Sequence, residues 1–275
     1  YSMISVIGLS DKVRLIQSDF ADPEVLDLVS KGIFDVIFHV AATPRVSYSV
    51  EHPLETNDNN VTKTLQLLYA VSGTGTRVVF SSSSSVYGGA DIFPTPETCT
   101  KNPKSPYAMQ KSIIEDYGRL FSSLYDLDFV SLRYFNVIGE GQYGNSPYST
   151  AVSAWCHALK NNLSLRFDGD GTQSRDLCYV GNVIDANMLA AKSTKTFTGE
   201  VYNICCGDRT SNQQILDLMR RKINNDLIVT HAPARVGDVM HTQGDWSAAH
   251  RDLGYEPKVR IDEALERTFK WWGLK

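Results

Sequence analysis

Arg77-Val78-Val79-Phe80 runs without a break into Ser81-Ser82-Ser83-Ser84-Ser85, and then into Val86-Tyr87-Gly88. An apolar, β-branched stretch of this kind reads as a strand buried on both faces, as found in parallel sheets covered by helices. Five serines elsewhere would suggest a flexible linker. Directly on a buried strand, and ahead of another apolar pair, they read instead as its carboxyl end. In doubly wound α/β sheets that end is where ligands sit. The predicted fold class is therefore α/β with a doubly wound parallel sheet.

About twenty residues downstream stands Ser105-Pro106-Tyr107-Ala108-Met109-Gln110-Lys111. On a helix, residues four apart share one face, so a phenol and an ammonium meet the same reacting atoms. A free tyrosine titrates near 10. A cation at about 4 Å, in an effective dielectric of about 20, favours the phenolate by up to roughly 4 kcal/mol. Tyr107 then becomes a base able to exchange a proton with an alcohol near neutral pH. A Tyr and a Lys at this spacing recur freely on surface helices. It is the serine strand upstream that turns the pair into a catalytic constellation of Ser83, Tyr107 and Lys111.

With these residues in place the chain resembles the extended short-chain dehydrogenase/reductase family, and within it the sugar-nucleotide 4-epimerases, from Val13 to Trp272. The markers are Ser18-Asp19-Phe20, His39-Val40-Ala41-Ala42, the serine strand with Val86-Tyr87-Gly88, Tyr107 with Lys111, and Leu132-Arg133-Tyr134-Phe135-Asn136. Ser174-Arg175-Asp176 and Arg235-Val236-Gly237-Asp238 complete the set. The resemblance implies a Rossmann-type sheet with a smaller α/β substrate-binding lobe, and NAD as cofactor. It assigns cofactor contacts to Asp19, Phe20, Ala41, Ala42, Asn60, Ser81, Tyr107, Lys111 and Phe135. Sugar-nucleotide contacts fall to Ser83, Ser84, Asn136, Arg166, Phe167, Arg175, Arg235, Asp238 and Thr242. Residues 1–147 would form the NAD-binding part, with segments after 175 returning to it, and 148–275 mainly the sugar-nucleotide lobe.

No GxxGxxG or GxGxxG occurs, and Gly8 stands alone near the start. Such a glycine-rich turn normally lets the backbone approach the pyrophosphate. The simplest expectation is a fragment whose first βαβ unit lies outside this sequence; the other is a short paralogue that holds the cofactor poorly. A strand is expected at Val13–Gln17, a helix over Asp22–Ser30 and a buried strand over Phe34–Ala41. A long helical pattern follows over Arg45–Ser72. His39 reads as a packed core histidine. The apolar stripes of the Arg45–Ser72 and Tyr107 helices either pack on their own sheet or supply the four-helix homodimer interface common in the family.

Across 275 residues the net charge is −4, which supplies no electrostatic footprint for nucleic acid. An anionic substrate would need local arginines. Five cysteines without a CxxC or metal-type spacing suggest free thiols in a reducing compartment and no bound metal. No apolar run approaches a membrane span, and the reading is a cytosolic protein without membrane attachment.

The resemblance also implies a reaction: transient oxidation of a UDP-sugar at C4 and return of the hydride to the other face. Related dehydratases and decarboxylases carry an acid just after the catalytic serine, whereas here Ser84 and Ser85 occupy those places. That favours epimerisation. Thr242, at the family's gate position, is small enough to leave room for an N-acetyl group, and Arg45-Val46-Ser47 resembles a loop of the N-acetyl-tolerant group. UDP-GlcNAc/UDP-GalNAc is the favoured pair, with UDP-Glc/UDP-Gal also possible. The alternatives are a UDP-uronate 4-epimerase and an inactive sugar-nucleotide-binding or dimerising module.

Overall fold

A computed structural model of the protein describes residues 13–44, 46–146, 149–223, 226–233 and 239–274. The first half opens with α1 (Pro23–Ser30), β1 (Val36–His39), α2 (Val46–Glu51) and α3 (Pro53–Asn57). A π-helical turn (Asp58–Thr62) leads into α4 (Lys63–Val71) and β2 (Arg77–Ser83). After a 3-10 turn (Ser84–Tyr87) come α5 (Pro106–Tyr125) and β3 (Phe129–Tyr134). The second half contains β4 (Asn136–Ile138), α6 (Ala151–Lys160), β5 (Leu165–Asp168), β6 (Ser174–Arg175) and β7 (Leu177–Tyr179). It continues through α7 (Val180–Lys192), β8 (Thr198–Ile204), β9 (Thr210–Ser211) and α8 (Asn212–Lys222). The last described elements are β10 (Val229–Ala232), α9 (Ser247–Leu253) and α10 (Ile261–Trp272).

β1, β2, β3 and β8 form one sheet in that order, parallel throughout. Side chains alternate across it. Val78, Phe80 and Phe129 pack with Val29, Leu68, Ile114 and Phe121 from α1, α4 and α5. Val79, Val130 and Leu132 pack on the other face with Val183, Ala186 and Ala190 of α7 and with Ala249 and Leu253 of α9. Helices on both faces of a parallel sheet are the doubly wound α/β arrangement. A smaller core gathers Val152, Trp155, Phe167, Leu216 and Phe269 from α6, β5, α8 and α10. β7 straddles the two, because alternate strand residues point opposite ways. Leu177 and Tyr179 enter the smaller core and Cys178 the larger. The chain then re-enters the main sheet as β8.

Three sequence expectations change. The buried strand expected over Phe34–Ala41 shortens to β1, in which only His39 is buried and Phe38 is exposed. Residues 13–17 are exposed and irregular. Among the described residues no strand flanks the free side of β1, and an extended segment becomes a strand only against a partner's ladder. The Arg45–Ser72 helix breaks into α2, α3, the π turn and α4. Pro53 has no amide hydrogen and suits only a first turn, so the helix restarts there after His52 leaves helical geometry at φ −129°, ψ 59°.

Candidate active site

The carboxyl end of β2 and the start of α5 form the centre of the site. Pro106 sits in the first turn of α5, and the Ser105 hydroxyl accepts from Ala108 N–H at 3.2 Å. A second free amide, Tyr107 N–H, donates to Oγ of the buried Ser49 in α2 at 3.0 Å. One turn further on, Lys111 reaches across to β2. Its Nζ donates to the Ser81 carbonyl at 2.7 Å and lies 4.7 Å from the Phe80 ring centroid and 5.8 Å from that of Tyr107. Burial pulls this ammonium down to about 8, only partly offset by the Glu115 carboxylate.

Ser83 ends β2 and caps the 3-10 turn, its Oγ accepting from Ser85 N–H at 3.2 Å. Ser84 opens that turn, and the Ser85 hydroxyl is enclosed with no hydrogen-bond partner among the described residues. Gly88 closes the turn at φ +62°; a Cβ there would stand 1.8 Å from the Asn102 carbonyl oxygen, so only glycine fits.

On the predicted cofactor side, the Asp19 carboxylate accepts from Lys63 Nζ at 2.8 Å and from Ala21 N–H at 3.0 Å, contacts that hold it below the usual carboxylate range. Phe20 meets His39 edge-on at 4.9 Å. His39 bonds Thr64 at 2.9 Å and, desolvated and near Lys111, is pushed down to about 4, so it is neutral. Ala41 and Ala42 lie in the loop after β1. Asn60 holds that loop: its Oδ1 accepts from Thr43 N–H at 2.7 Å and its Nδ2 donates to the Thr43 carbonyl at 3.2 Å. The same amide donates to Gln110 at 2.8 Å, which ties the π turn to α5. A π turn inside a helical run commonly marks a functional position, and here it carries Asn60.

Small, accessible residues past β1 and an unpartnered hydroxyl past β2, both at carboxyl ends of parallel strands, fit a dinucleotide, which needs close backbone approach there.

Two cofactor assignments change in detail. Ser81 is buried, with its hydroxyl on Tyr134 OH at 3.0 Å and its carbonyl on Lys111; it offers the cofactor no free group and serves by seating Lys111. Phe135 is 3% exposed, enclosed with Tyr87 and Cys205 and closing over Gly244, so its ring supports the serine turn.

On the predicted substrate side the structure brings Asn136, Arg175 and Thr242 together. Thr242 Oγ1 donates to Asn136 Oδ1 at 3.3 Å and accepts from Asp176 N–H at 3.1 Å. Arg175 Nη1 donates to the carbonyls of Ser174 at 3.0 Å and Met240 at 3.2 Å. The Asp176 carboxylate, fully buried, accepts from Cys206 N–H at 2.8 Å, Gly207 N–H at 2.9 Å and Gly244 N–H at 3.0 Å. Desolvation pushes it up to about 6 against those three donors. Arg166 is exposed and paired with Asp168 at 2.7 Å. Phe167 corrects an expectation: its ring is 1% exposed, stacked on Trp155 at 5.7 Å, and belongs to the smaller core, leaving only its backbone for a ligand. Arg45, Arg235 and Asp238 lie outside the described residues. Sequence reasoning gave Asp176 only as a marker and missed Glu115, although Glu115 continues the four-residue spacing of Tyr107 and Lys111.

Residues 4–205 match the NAD dependent epimerase/dehydratase family. The chain belongs to that family. A putative UDP-glucose 4-epimerase of Methanocaldococcus jannaschii is 31% identical over 96% of this chain and 85% of its own length. Among solved structures, the UDP-N-acetylglucosamine 4-epimerase of Methanobrevibacter ruminantium M1 in complex with UDP-N-acetylmuramic acid is 35% identical. Its TM-score is 0.87, over 94% of this chain and 82% of that one. The UDP-glucuronic acid 4-epimerase of Bacillus cereus, in complex with UDP-glucuronic acid and NAD, is 27% identical, with a TM-score of 0.88 over 98% and 84% of the two chains. Family members of this kind are isomerases, and the cofactor is NAD. Among the described residues no group of His, Cys, Asp and Glu is placed to hold a metal, and no helix is long and apolar enough to cross a membrane.

Proposed function

We propose that the protein is an NAD-dependent UDP-sugar 4-epimerase whose preferred pair is UDP-GlcNAc and UDP-GalNAc, with UDP-Glc and UDP-Gal as further substrates. The carrying observation is Lys111, buried and seated on the Ser81 carbonyl one helical turn from Tyr107. A bound NAD would supply the hydride acceptor and donor for C4. The chain's own groups manage the proton and the sugar. Tyr107 takes the proton of the 4-hydroxyl and later gives it back, with the Lys111 cation favouring its phenolate. Ser83, whose Oγ already accepts from Ser85 N–H, has its hydrogen left to donate to the sugar oxygen as charge develops there. Asp19, Phe20, Ala41, Ala42 and Asn60 line the cofactor side. Arg175 and Arg235 clamp the diphosphate by bidentate guanidinium contacts, Asp238 holds the ribose, and Asn136 and Thr242 face the sugar.

The N-acetyl preference is supported by the short Thr242 side chain, fixed beside Asn136 at 3.3 Å, and by the 35% identity to the M. ruminantium enzyme. A homodimer through α4 and α5 is part of the same reading. Tyr69, Leu120, Leu124 and Tyr125 on these helices are exposed, and Tyr69 meets Tyr125 edge-on at 6.3 Å. All five cysteines are free, which suits a cytoplasmic setting.

The test is turnover of UDP-GlcNAc by the full-length protein with NAD, following UDP-GalNAc by chromatography, beside Tyr107→Phe. Product that disappears in the variant supports the reading. Turnover of UDP-glucuronate alone would replace the substrate assignment, and no turnover of any UDP-sugar with retained UDP-sugar binding would leave a binding module.

A further inference from the structure

One layer below the serine hydroxyls, a row of polar residues crosses the main sheet in register. Ser82 of β2 pairs with Arg133 of β3, and Arg133 pairs with Asn203 of β8. All three are buried, Arg133 and Asn203 between aliphatic and aromatic neighbours and Ser82 within the serine end of β2. Such groups are costly inside a protein unless fully bonded. Every polar side-chain atom of the three has a partner, and Glu115 of α5 is the hub.

Glu115 is 0% exposed. Its Oε1 accepts from Ser82 Oγ at 2.6 Å and Arg133 Nε at 2.8 Å, and its Oε2 from Arg133 Nη2 at 2.7 Å. Lys101 Nζ adds a longer contact at 3.7 Å. Arg133 Nη1 donates onward to Tyr87 OH at 2.8 Å, and Tyr87 OH to Asn203 Oδ1 at 2.7 Å. Asn203 in turn bonds the carbonyls of Thr95 at 2.9 Å and Asp245 at 3.1 Å. Burial would pull the Arg133 guanidinium down, but the Glu115 carboxylate more than offsets this and holds it charged.

The spacing gives this network its purpose. Tyr107, Lys111 and Glu115 lie one turn apart on α5, and the last two reach β2. Lys111 holds the carbonyl of Ser81, Glu115 holds the hydroxyl of Ser82, and the next residue is Ser83. Helix and strand are therefore locked at two consecutive strand residues immediately before the catalytic serine. Arg133 carries the lock to Tyr87, at the far end of the turn that Ser83 caps. The turn is gripped on both sides of Ser83 and Ser84 by one buried carboxylate and its guanidinium.

We propose that Glu115, with Arg133 and Ser82, is the positioning device of the catalytic centre: it fixes where Ser83 and Lys111 stand relative to Tyr107 without touching substrate or cofactor. The inference rests on the epimerase reading for its kinetic consequence and stands apart from it in its structural one. Misplacement of a catalytic group by about 1 Å costs about a hundredfold in rate. Glu115→Gln keeps the shape but removes the charge that orients Arg133, so kcat per bound NAD is expected to fall about a hundredfold while KM for the UDP-sugar changes less than about threefold. Ser82→Ala removes one contact and leaves the ion pair, so it yields folded protein whatever Glu115→Gln does. It is expected to cost about tenfold in kcat, and the double variant to cost less than the product of the two.

A readout independent of turnover is amide hydrogen exchange of the cofactor-free protein. Exchange across residues 81–87 is expected to rise in both variants with α10 unchanged, whereas a merely structural role raises it everywhere. Both variants turning over within about twofold of wild type, or 81–87 staying as protected as before, overturns the proposal. If the wild-type protein turns over no UDP-sugar, the epimerase reading fails, and the exchange experiment still decides the positioning role.

Discussion

Two buried carboxylates organise the two sides of this site, and they do so by opposite means. Glu115 is neutralised by an arginine and bonded to side chains from two strands. Asp176 has no cation among its described partners and is held by three backbone amides, from Cys206, Gly207 and Gly244. Around Glu115 the sheet ladder already satisfies the backbone, so only side chains are available to set the register of helix against strand. Around Asp176 the chain is loop, its amides have no ladder, and a carboxylate is the group that can collect three of them. An ion pair aligns regular elements; a ring of amides gathers loops. This division fits the proposed roles: the chemistry depends on fixed geometry, and substrate binding depends on loops held around Arg175 and Thr242.

The sharpest test of the catalytic side is Lys111→Met. Turnover is expected to drop by at least about a hundredfold, because the phenolate loses its cation. The fold, by contrast, should become more stable. Moving the ammonium from 10.5 to about 8 costs about 3 kcal/mol while it stays charged, in full below pH 8, and the cost is relieved as pH rises from 8 towards 10.5. Thermal unfolding at pH 7 reads it; a lowered Tm would mean that the Ser81 contact outweighs burial.

Next in size is Glu115→Ala, which strands a buried guanidinium and should cost about 3–5 kcal/mol in denaturant unfolding, with much of that restored by adding Arg133→Met. No restoration would mean that the ion pair itself, and not its burial, holds α5 against β2 and β3.

Asp176→Asn should cost less, about 1–3 kcal/mol, since an amide can accept with one oxygen only. Its kinetic signature should be the reverse of that at Glu115: KM for the UDP-sugar up about tenfold with kcat nearly unchanged. Linkage offers a second reading. The folded carboxyl at about 6 lies above its reference of 3.8, so the native state binds the extra proton and the wild type loses up to about 3 kcal/mol relative to this variant as pH rises from about 4 to 6. A flat difference across that window would place the Asp176 carboxyl near its ordinary value.

The smallest effect is expected from Thr242→Tyr, which should lower kcat/KM for UDP-GlcNAc relative to UDP-Glc by about tenfold, the scale of a steric pocket change. An unchanged ratio would remove Thr242 from the sugar side.

The elements with strong local signals were legible in the sequence. The Ser105-Pro106 start dictated α5, the β-branched run before the serines gave β2, and the Tyr107/Lys111 spacing put the ammonium beside the Tyr107 ring. What escaped depended on partners distant in sequence. Val13–Gln17 carries a strand's composition but has no described neighbour strand, and composition alone makes no ladder. Phe167 fell within a substrate-side stretch, but alternation along β5 turned its ring into the smaller core. Arg133 sat in plain view as a charge inside an apolar strand, yet its meaning required Glu115, eighteen positions away and opposite it only in space. Asp176 was visible as one letter of a marker; the three amides it collects come from loops 30, 31 and 68 residues downstream.

The crossing at β7 bears on how such a protein can change. Because the main sheet takes its fourth strand, β8, from chain that lies between two stretches of the smaller core, no single cut yields two self-sufficient halves. A new sugar preference cannot be acquired by exchanging one half for that of a cousin. On the proposed reading it has to be written residue by residue into the loops around Asn136, Arg175 and Thr242 while the sheet beneath them stays whole.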